Sequence, residues 1–325
     1  MDLRIQVPDW ARHVVSDLTD MDRRPVPVDA RKVRAITLDL PDDVYFEYAF
    51  LDENGRMRAD PDNDQRADNP WYPEASAAHG PRYRPDRLAY PDADLERGTV
   101  DRGRLPSTAL GGQPRRWVVY TPEGHEGQEL PWVFVQDGIA FYRMAKLHLV
   151  MEALVRLGEA RPARFAFVEP VDRRAEYGFS SAYRAFSTDE LLPELEKRYG
   201  GTGERIWVGA SLGGLLSATV GLERPDLVSA VVTFSGAYLG TPQDRDFYDS
   251  QRSWVLDRLR AGDTAPSRWY LEVGTIEWLT NANREVAEAL SGRGIEHQLR
   301  ERNAGHNWTN WRNGMASALR FALRP

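Results

Sequence analysis

Cysteine is absent from the 325 residues. That excludes disulfides, thiolate metal sites and a thiol nucleophile, so covalent chemistry falls to hydroxyl, imidazole or carboxyl groups. Long apolar runs are also lacking. The longest, around Leu227 to Phe234, is far below the roughly 20 residues that span a bilayer. The first dozen residues carry Asp2, Arg4, Asp9 and Arg12 and no apolar core of a secretory signal. The expectation is a cytoplasmic chain with no membrane partner. A basic stripe is missing as well: arginines are interspersed with Asp and Glu, the net charge is −7, and no nucleic-acid partner is expected. Nor does the sequence contain H-E-x-x-H, a P-loop, or a G-x-G-x-x-G opening a helix after a strand. Asp60-Pro61-Asp62-Asn63-Asp64 is acidic but lacks the glycine and terminal glutamate of a calcium-binding EF-hand loop, and reads as a solvated loop. No metal and no cofactor are expected. Internal repeats and low-complexity tracts are absent.

What is present is an ordinary globular composition, 42% hydrophobic with ten tryptophans, at a length that favours two domains. Residues 1–103 read as all-β, with strand-like segments at 34–40 and 44–51 separated by Pro, Asp, Asn and Gly clusters; residues 60–90 suit irregular loop and linker. Residues 104–325 change to short β-branched or aromatic runs at 116–121, 132–136, 164–169, 206–209, 228–234, 269–273 and 295–302. These alternate with helical spacing at 140–157, 188–199, 212–222, 253–260, 281–290 and 311–323, the pattern of βαβ units around a parallel sheet.

The sharpest local signal is Gly209-Ala210-Ser211-Leu212-Gly213-Gly214, a G-x-S-x-G between a strand and a helix rich in Leu and Ala. Small residues two before and two after the serine let strand and helix approach closely, and the hydroxyl projects at the C-terminal edge of the sheet. The helix N-terminus favours a developing oxyanion, to which the Leu212 amide is placed to donate. A serine hydroxyl needs a neutral imidazole to take its proton. Of the six histidines, His13 and His79 lie in the N-terminal half, His125 in a turn, His148 in a helix and His297 in a strand. His306 alone follows the last strand in a loop, where a general base belongs. The acid should follow the penultimate strand. Glu277 lies in the turn there, Glu272 within the strand, and a Ser/His dyad without an acid is the remaining alternative. The second oxyanion amide belongs to the turn after the strand at 132–136, at Gly138 or Ile139.

Together these stretches resemble the esterase family that includes enterochelin esterases, some feruloyl esterases and the mycolyltransferases. The resemblance covers about residues 104–325 and adds Val135-Gln136-Asp137-Gly138, Arg173-Arg174-Ala175-Glu176, Glu190-Leu191-Leu192-Pro193 and Gly305-His306-Asn307-Trp308. It implies an α/β-hydrolase three-layer sandwich, with Ile139 and Leu212 supplying the oxyanion amides and Glu277 matching a catalytic glutamate of part of the family. One departure stands out. The family usually reads Gly-Gly-His-Asp where this chain has Ala304-Gly305-His306-Asn307. The N-terminal part resembles the small immunoglobulin-like early-set domain that precedes the catalytic domain in enterochelin esterases, on Val44 to Phe50 followed by Asp52, Gly55 and Asp60-Pro61.

The expected chemistry is acyl transfer to Ser211 and hydrolysis of the acyl-enzyme, on a small-molecule ester. Trp308, Trp311 and Tyr177 are candidates to wall a pocket for a flat aromatic acyl group, and Arg173, Arg174 and Arg184 to attract an anionic ligand such as a ferric siderophore. Equally, Arg173 and Glu176 fit a structural ion pair and the tryptophans an anchor for the last helix. An acylated-sugar esterase, an acyltransferase and a non-catalytic binding protein are the competing readings. Oligomeric state leaves no mark in the sequence.

Overall fold

Two kinds of sheet separate at about residue 99. The computed structural model describes residues 1–21, 23–95, 97–244, 246, 248 and 250–325. Ahead of that point lie short strands: β1 (Asp2–Gln6), β2 (His13–Ser16), β3 (Val26–Pro27), β4 (Ala35–Asp39), β5 (Tyr45–Leu51), β6 (Met57–Arg58) and β7 (Ser76–His79). β1 pairs antiparallel with β4, and β5 is the centre of a second antiparallel sheet in which it meets β2, β6 and β7. Phe46, Tyr48 and Phe50 on one face of β5 enter a cluster with Ile5, Val7, Leu40 and Val44; Tyr45, Ala49, Val15 and Ala304 form a second. Alternation along a strand places successive side chains in opposite layers, so β5 serves two cores.

From β8 (Thr99–Pro106) onward the chain builds one eight-stranded sheet with β9 (Pro114–Thr121), β10 (Trp132–Val135), β11 (Arg164–Val168), β12 (Arg205–Ala210), β13 (Ala230–Phe234), β14 (Arg268–Gly274) and β15 (Glu296–Arg302). Its order is β15-β14-β13-β12-β10-β11-β9-β8. Pairings among β10 to β14 are parallel, and those of β9 with β8 and β11 antiparallel. Every residue of β10, β11 and β13 is buried, as expected of parallel strands covered on both faces. The helices are α1 (Leu147–Arg156), α2 (Arg173–Tyr177), α3 (Ser181–Ala185), α4 (Leu192–Tyr199), α5 (Leu212–Glu223), α6 (Trp254–Ala261), α7 (Thr280–Gly292) and α8 (Trp308–Ala322). Leu212 to Leu222 of α5 are all buried, which marks it as a core helix. From β10 the order runs to β11 on one side and β12 on the other, and at such a reversal the C-terminal ends of adjacent strands open a crevice.

Contacts divide the chain into a smaller unit, residues 1–86, 273–280 and 301–313, and a larger one, residues 87–272, 281–300 and 314–325. The division departs from the boundary expected near 103. β8 pairs with β9 along its whole length, which draws residues 87–103 into the larger unit. Residues 60–90 are irregular for most of their length without being a linker: β7 pairs with β5, and Asp60, buried, accepts from the Tyr48 hydroxyl at 2.8 Å and the Asp62 amide at 2.9 Å. The acidic loop is thus a built turn. Among the described residues no helix is long and apolar enough to cross a membrane.

Candidate active site

The larger unit presents Ser211 between β12 and α5 at φ +54° and ψ −118°, a conformation L residues rarely adopt and which costs about 1–3 kcal/mol. Backbone bonds hold it there. Its amide donates to Phe234 O at 2.8 Å, and its carbonyl accepts from Ala237 N and Leu215 N, both at 3.0 Å. A Cβ at Gly209 would lie 2.2 Å from the Gly213 carbonyl carbon, so strand and helix cross too closely for any other residue. Asp137 after β10 and Ser235 after β13 share the positive φ, so three neighbouring strands end in the same turned backbone.

Leu212 opens α5, and its amide therefore has no acceptor within the helix. Of the two candidates in the β10 turn, Ile139 donates its amide to Glu169 Oε2 at 2.9 Å. Burial raises the Glu169 carboxyl above its usual range. Gly138 packs against β11, where a Cβ would meet Val168 N at 2.3 Å.

Arg173 grips Asp137 with both arms of its fork, at 2.8 and 2.9 Å, and donates to Ala210 O at 3.1 Å. Burial alone would pull its pKa down, but the Asp137 carboxylate holds it above the ordinary range. It ties the β10 turn to the residue before Ser211, and its charge is already met. Tyr177, fully buried, accepts the Asp137 amide on its hydroxyl at 2.8 Å. It supports the turn rather than walling an open pocket. Glu176 pairs with Arg115, not Arg173. Arg184 binds Glu223 at 2.6 Å, at the end of α5 about 18 Å from Ser211 by helical rise. It is not at Ser211. Arg174 pairs with Asp246 at 2.8 Å.

In the smaller unit, His306 Nδ1 and Glu277 Oε2 are 3.0 Å apart, with the Glu277 side chain wholly buried. The acid loop is shaped locally: Thr280 Oγ1 donates to Gly274 O at 2.7 Å, and a Cβ at Gly274 would lie 2.0 Å from Ala304 O. Only glycine there lets the loops of Glu277 and His306 approach this closely. Glu272 has another role, buried in the larger unit, where it accepts from Tyr270 OH at 2.8 Å. Trp311 meets the His306 ring edge-on at 5.2 Å, Trp278 lies at 5.8 Å, and Trp308, Trp311 and Trp71 pack on one another at 5.0–5.3 Å. Trp308 and Trp311 are fully buried. They are packing beneath His306, too deeply buried to wall an open acyl pocket. Asp137, Trp71 and Trp278 act as supports here, and in the sequence only the Asp-Gly turn points to one of them, Asp137.

Among the described residues no cluster of three or more His, Asp or Glu is arranged to hold a metal ion.

A family model described as "Putative esterase" matches residues 107–322. The iron(III) enterobactin esterase of Dickeya dadantii (strain 3937) is 30% identical over 287 residues, covering 82% of this chain and 65% of that one. The chain spans 54–65% of the length of the curated enterobactin esterases it matches. The crystal structure of the enterobactin esterase from Shigella flexneri in the presence of enterobactin superposes with a TM-score of 0.75 at 20% identity, over 99% of this chain and 92% of that one. A ferulic acid esterase from Anaeromyces mucronatus gives 0.58 at 16% identity, over 73% and 95%. These two likenesses show a common fold.

Proposed function

The chain belongs to the "Putative esterase" family, and on that premise we propose that it is a serine carboxylic-ester hydrolase working through an acyl-enzyme on Ser211. The observation that carries the reading is the His306 Nδ1 to Glu277 bond at 3.0 Å. A buried carboxylate on Nδ1 keeps the proton there and presents Nε2 as a base. In the proposed cycle Nε2 takes the Ser211 proton as Oγ attacks the ester carbonyl. The oxyanion is met by the Leu212 amide and by Gly138, with Ile139 joining if Glu169 releases it. Collapse breaks the carbonyl–alkoxy bond, His306 protonates the leaving alcohol, and water repeats the sequence on the acyl-enzyme.

For the substrate we propose an anionic catecholate trilactone, free or iron-loaded. The name of the Dickeya relative supports this, as does a cavity of about 340 Å³ in the larger unit lined by Arg102, Arg104, Arg116 and Arg143 with Trp117, Tyr142 and Ile139. Those arginines, rather than Arg173 and Arg184, are the cations suited to an anionic ester. A feruloylated sugar is the second reading, favoured by the fold shared with the Anaeromyces enzyme. Hydrolysis of a trilactone with and without iron, a feruloylated sugar and a short nitrophenyl ester, each against Ser211→Ala, tests both. Loss of all turnover in Ser211→Ala, by on the order of 10⁴-fold or more, is expected. Turnover that survives in Ser211→Ala would overturn the acyl-enzyme, and preference for the sugar would move the substrate to the second reading.

A further inference from the structure

We propose that Asp17 is a positioning residue for the base: its side chain bonds Asn307, 290 positions away in the chain, and packs against Gly305, so that it meets the residues on both sides of His306. Asp17 directly follows β2 and is buried. After His306, Asn307 Nδ2 donates to Asp17 Oδ2 at 2.9 Å. Before it, Gly305 passes directly over the same side chain, where a Cβ would lie 2.0 Å from Asp17 Cβ and 2.1 Å from Cγ. Asp17 is itself anchored to β5, since the Glu47 amide donates to its Oδ2 at 2.6 Å. The same strand ties the loop once more, through Tyr45 N to Asn303 O at 3.0 Å.

Asn307 explains the departure from the family's aspartate. Its Oδ1 caps α8 by accepting from Asn310 N at 2.8 Å, while its Nδ2 is spent on Asp17. An aspartate would make the cap equally well but would set a second carboxyl group against Asp17. Burial pushes Asp17 up to about 7, with the Glu277 charge adding to the rise. Glu47, pushed up to about 8 by burial, faces it from β5, and Arg312 faces Glu47. The loop is thus hydrogen-bonded at 303 and 307 and closely packed at 305, which leaves His306 little freedom. A base displaced by about 1 Å loses on the order of 10²-fold in rate.

The inference rests on the reading of His306 as the base, and the test separates the two. Diisopropyl fluorophosphate labels an activated serine: the Oγ–P bond forms, P–F breaks, the hydroxyl proton passes to the base and fluoride leaves. Its rate at Ser211, followed by intact mass, is measured beside kcat and KM on a short nitrophenyl ester. The proteins are wild type, His306→Ala, Asp17→Ala, Asn307→Asp and the double variant Asp17→Asn/Asn307→Asp. Asp17→Ala should lower labelling and kcat by about ten- to a hundred-fold, with KM changed less than about twofold. Asn307→Asp should lose as much near pH 8, and its ratio to wild type should rise towards about pH 6 as a proton shared between the two carboxyls replaces the amide N–H. The double variant restores an amide–carboxyl pair and should recover most of the loss. Should Asp17→Ala fail to fold, the other two variants carry the test. Folded variants with wild-type kcat, or a ratio flat with pH and no recovery in the double variant, overturn the inference while a dead His306→Ala leaves the base standing. Wild-type labelling in His306→Ala overturns both.

Discussion

Ser211 and His306, the proposed nucleophile and base, are held by different means. Around Ser211 the work is done by backbone and by the absence of side chains: Gly209 and Gly213 approach so closely that a Cβ would collide, and main-chain bonds run to Phe234, Ala237 and Leu215. Around His306 it is done by side chains, one from the following helix, Trp311, and the others from distant parts of the chain, namely Glu277, Trp278, Asp17 through Asn307, and Thr280 through the Glu277 turn. A strand-to-helix turn needs only small residues at set spacings, so it is a local device. A loop histidine has no such frame of its own and borrows one.

The largest expected effect that would sharpen this contrast is on the acid. Glu277→Gln should reduce kcat by about 10³- to 10⁴-fold, by releasing the imidazole tautomer, with little change in KM. Glu272→Gln, which keeps an acceptor for Tyr270, should leave kcat within about threefold. Steady-state kinetics on one ester decide it, and equal losses in the two would erase the distinction between the acid turn and the sheet flank. Next in size, Gly209→Ala places a methyl 2.2 Å from the Gly213 backbone and should destabilise the fold by about 3 kcal/mol or prevent it. Denaturant melts check this, and a soluble variant of wild-type stability would show that the turn is not held by close backbone approach.

The smallest effect concerns stability and pH. Asp17 and Glu47 titrate near 7 and 8 when folded, chiefly because they are buried, and near about 4 when unfolded. A raised folded value means stability that is complete below about pH 4 and lost as pH rises through the folded values. Their contribution should therefore lower Tm by several degrees between about pH 5 and 8. Asp17→Asn removes one of the two groups and should flatten that slope relative to wild type, which calorimetry at three pH values would show. A slope unchanged by the substitution would mean that Asp17 keeps an ordinary carboxyl pKa.

Strands and helices were most legible where periodicity was strong. The expected runs at 132–136, 164–169 and 206–209 are strands within one or two residues, and α5 begins at Leu212 as its pattern required. Legibility failed where partners are remote or unpatterned. β8 carries Thr, Asp, Arg, Gly and Pro and becomes a strand only through β9; α2 and α3 are too short to show a period. Among the site residues, Arg173 and Arg184 were read from charge alone, and charge does not say that Asp137 and Glu223 will already be there.

By itself the sequence determined the α/β organisation after residue 114 and the turn at Ser211, because period, glycine spacing and strand–helix order are local properties that hold before any long-range contact forms. It also narrowed the candidate base to His306 by its position after the last strand. Only the tertiary structure decided which glutamate meets that histidine, that Trp308 and Trp311 are buried beneath it, and that Asn307 answers to Asp17. Each of those is a pairing across a stretch of chain that carries no periodic signal, settled by which side chains can be satisfied together once they are out of water.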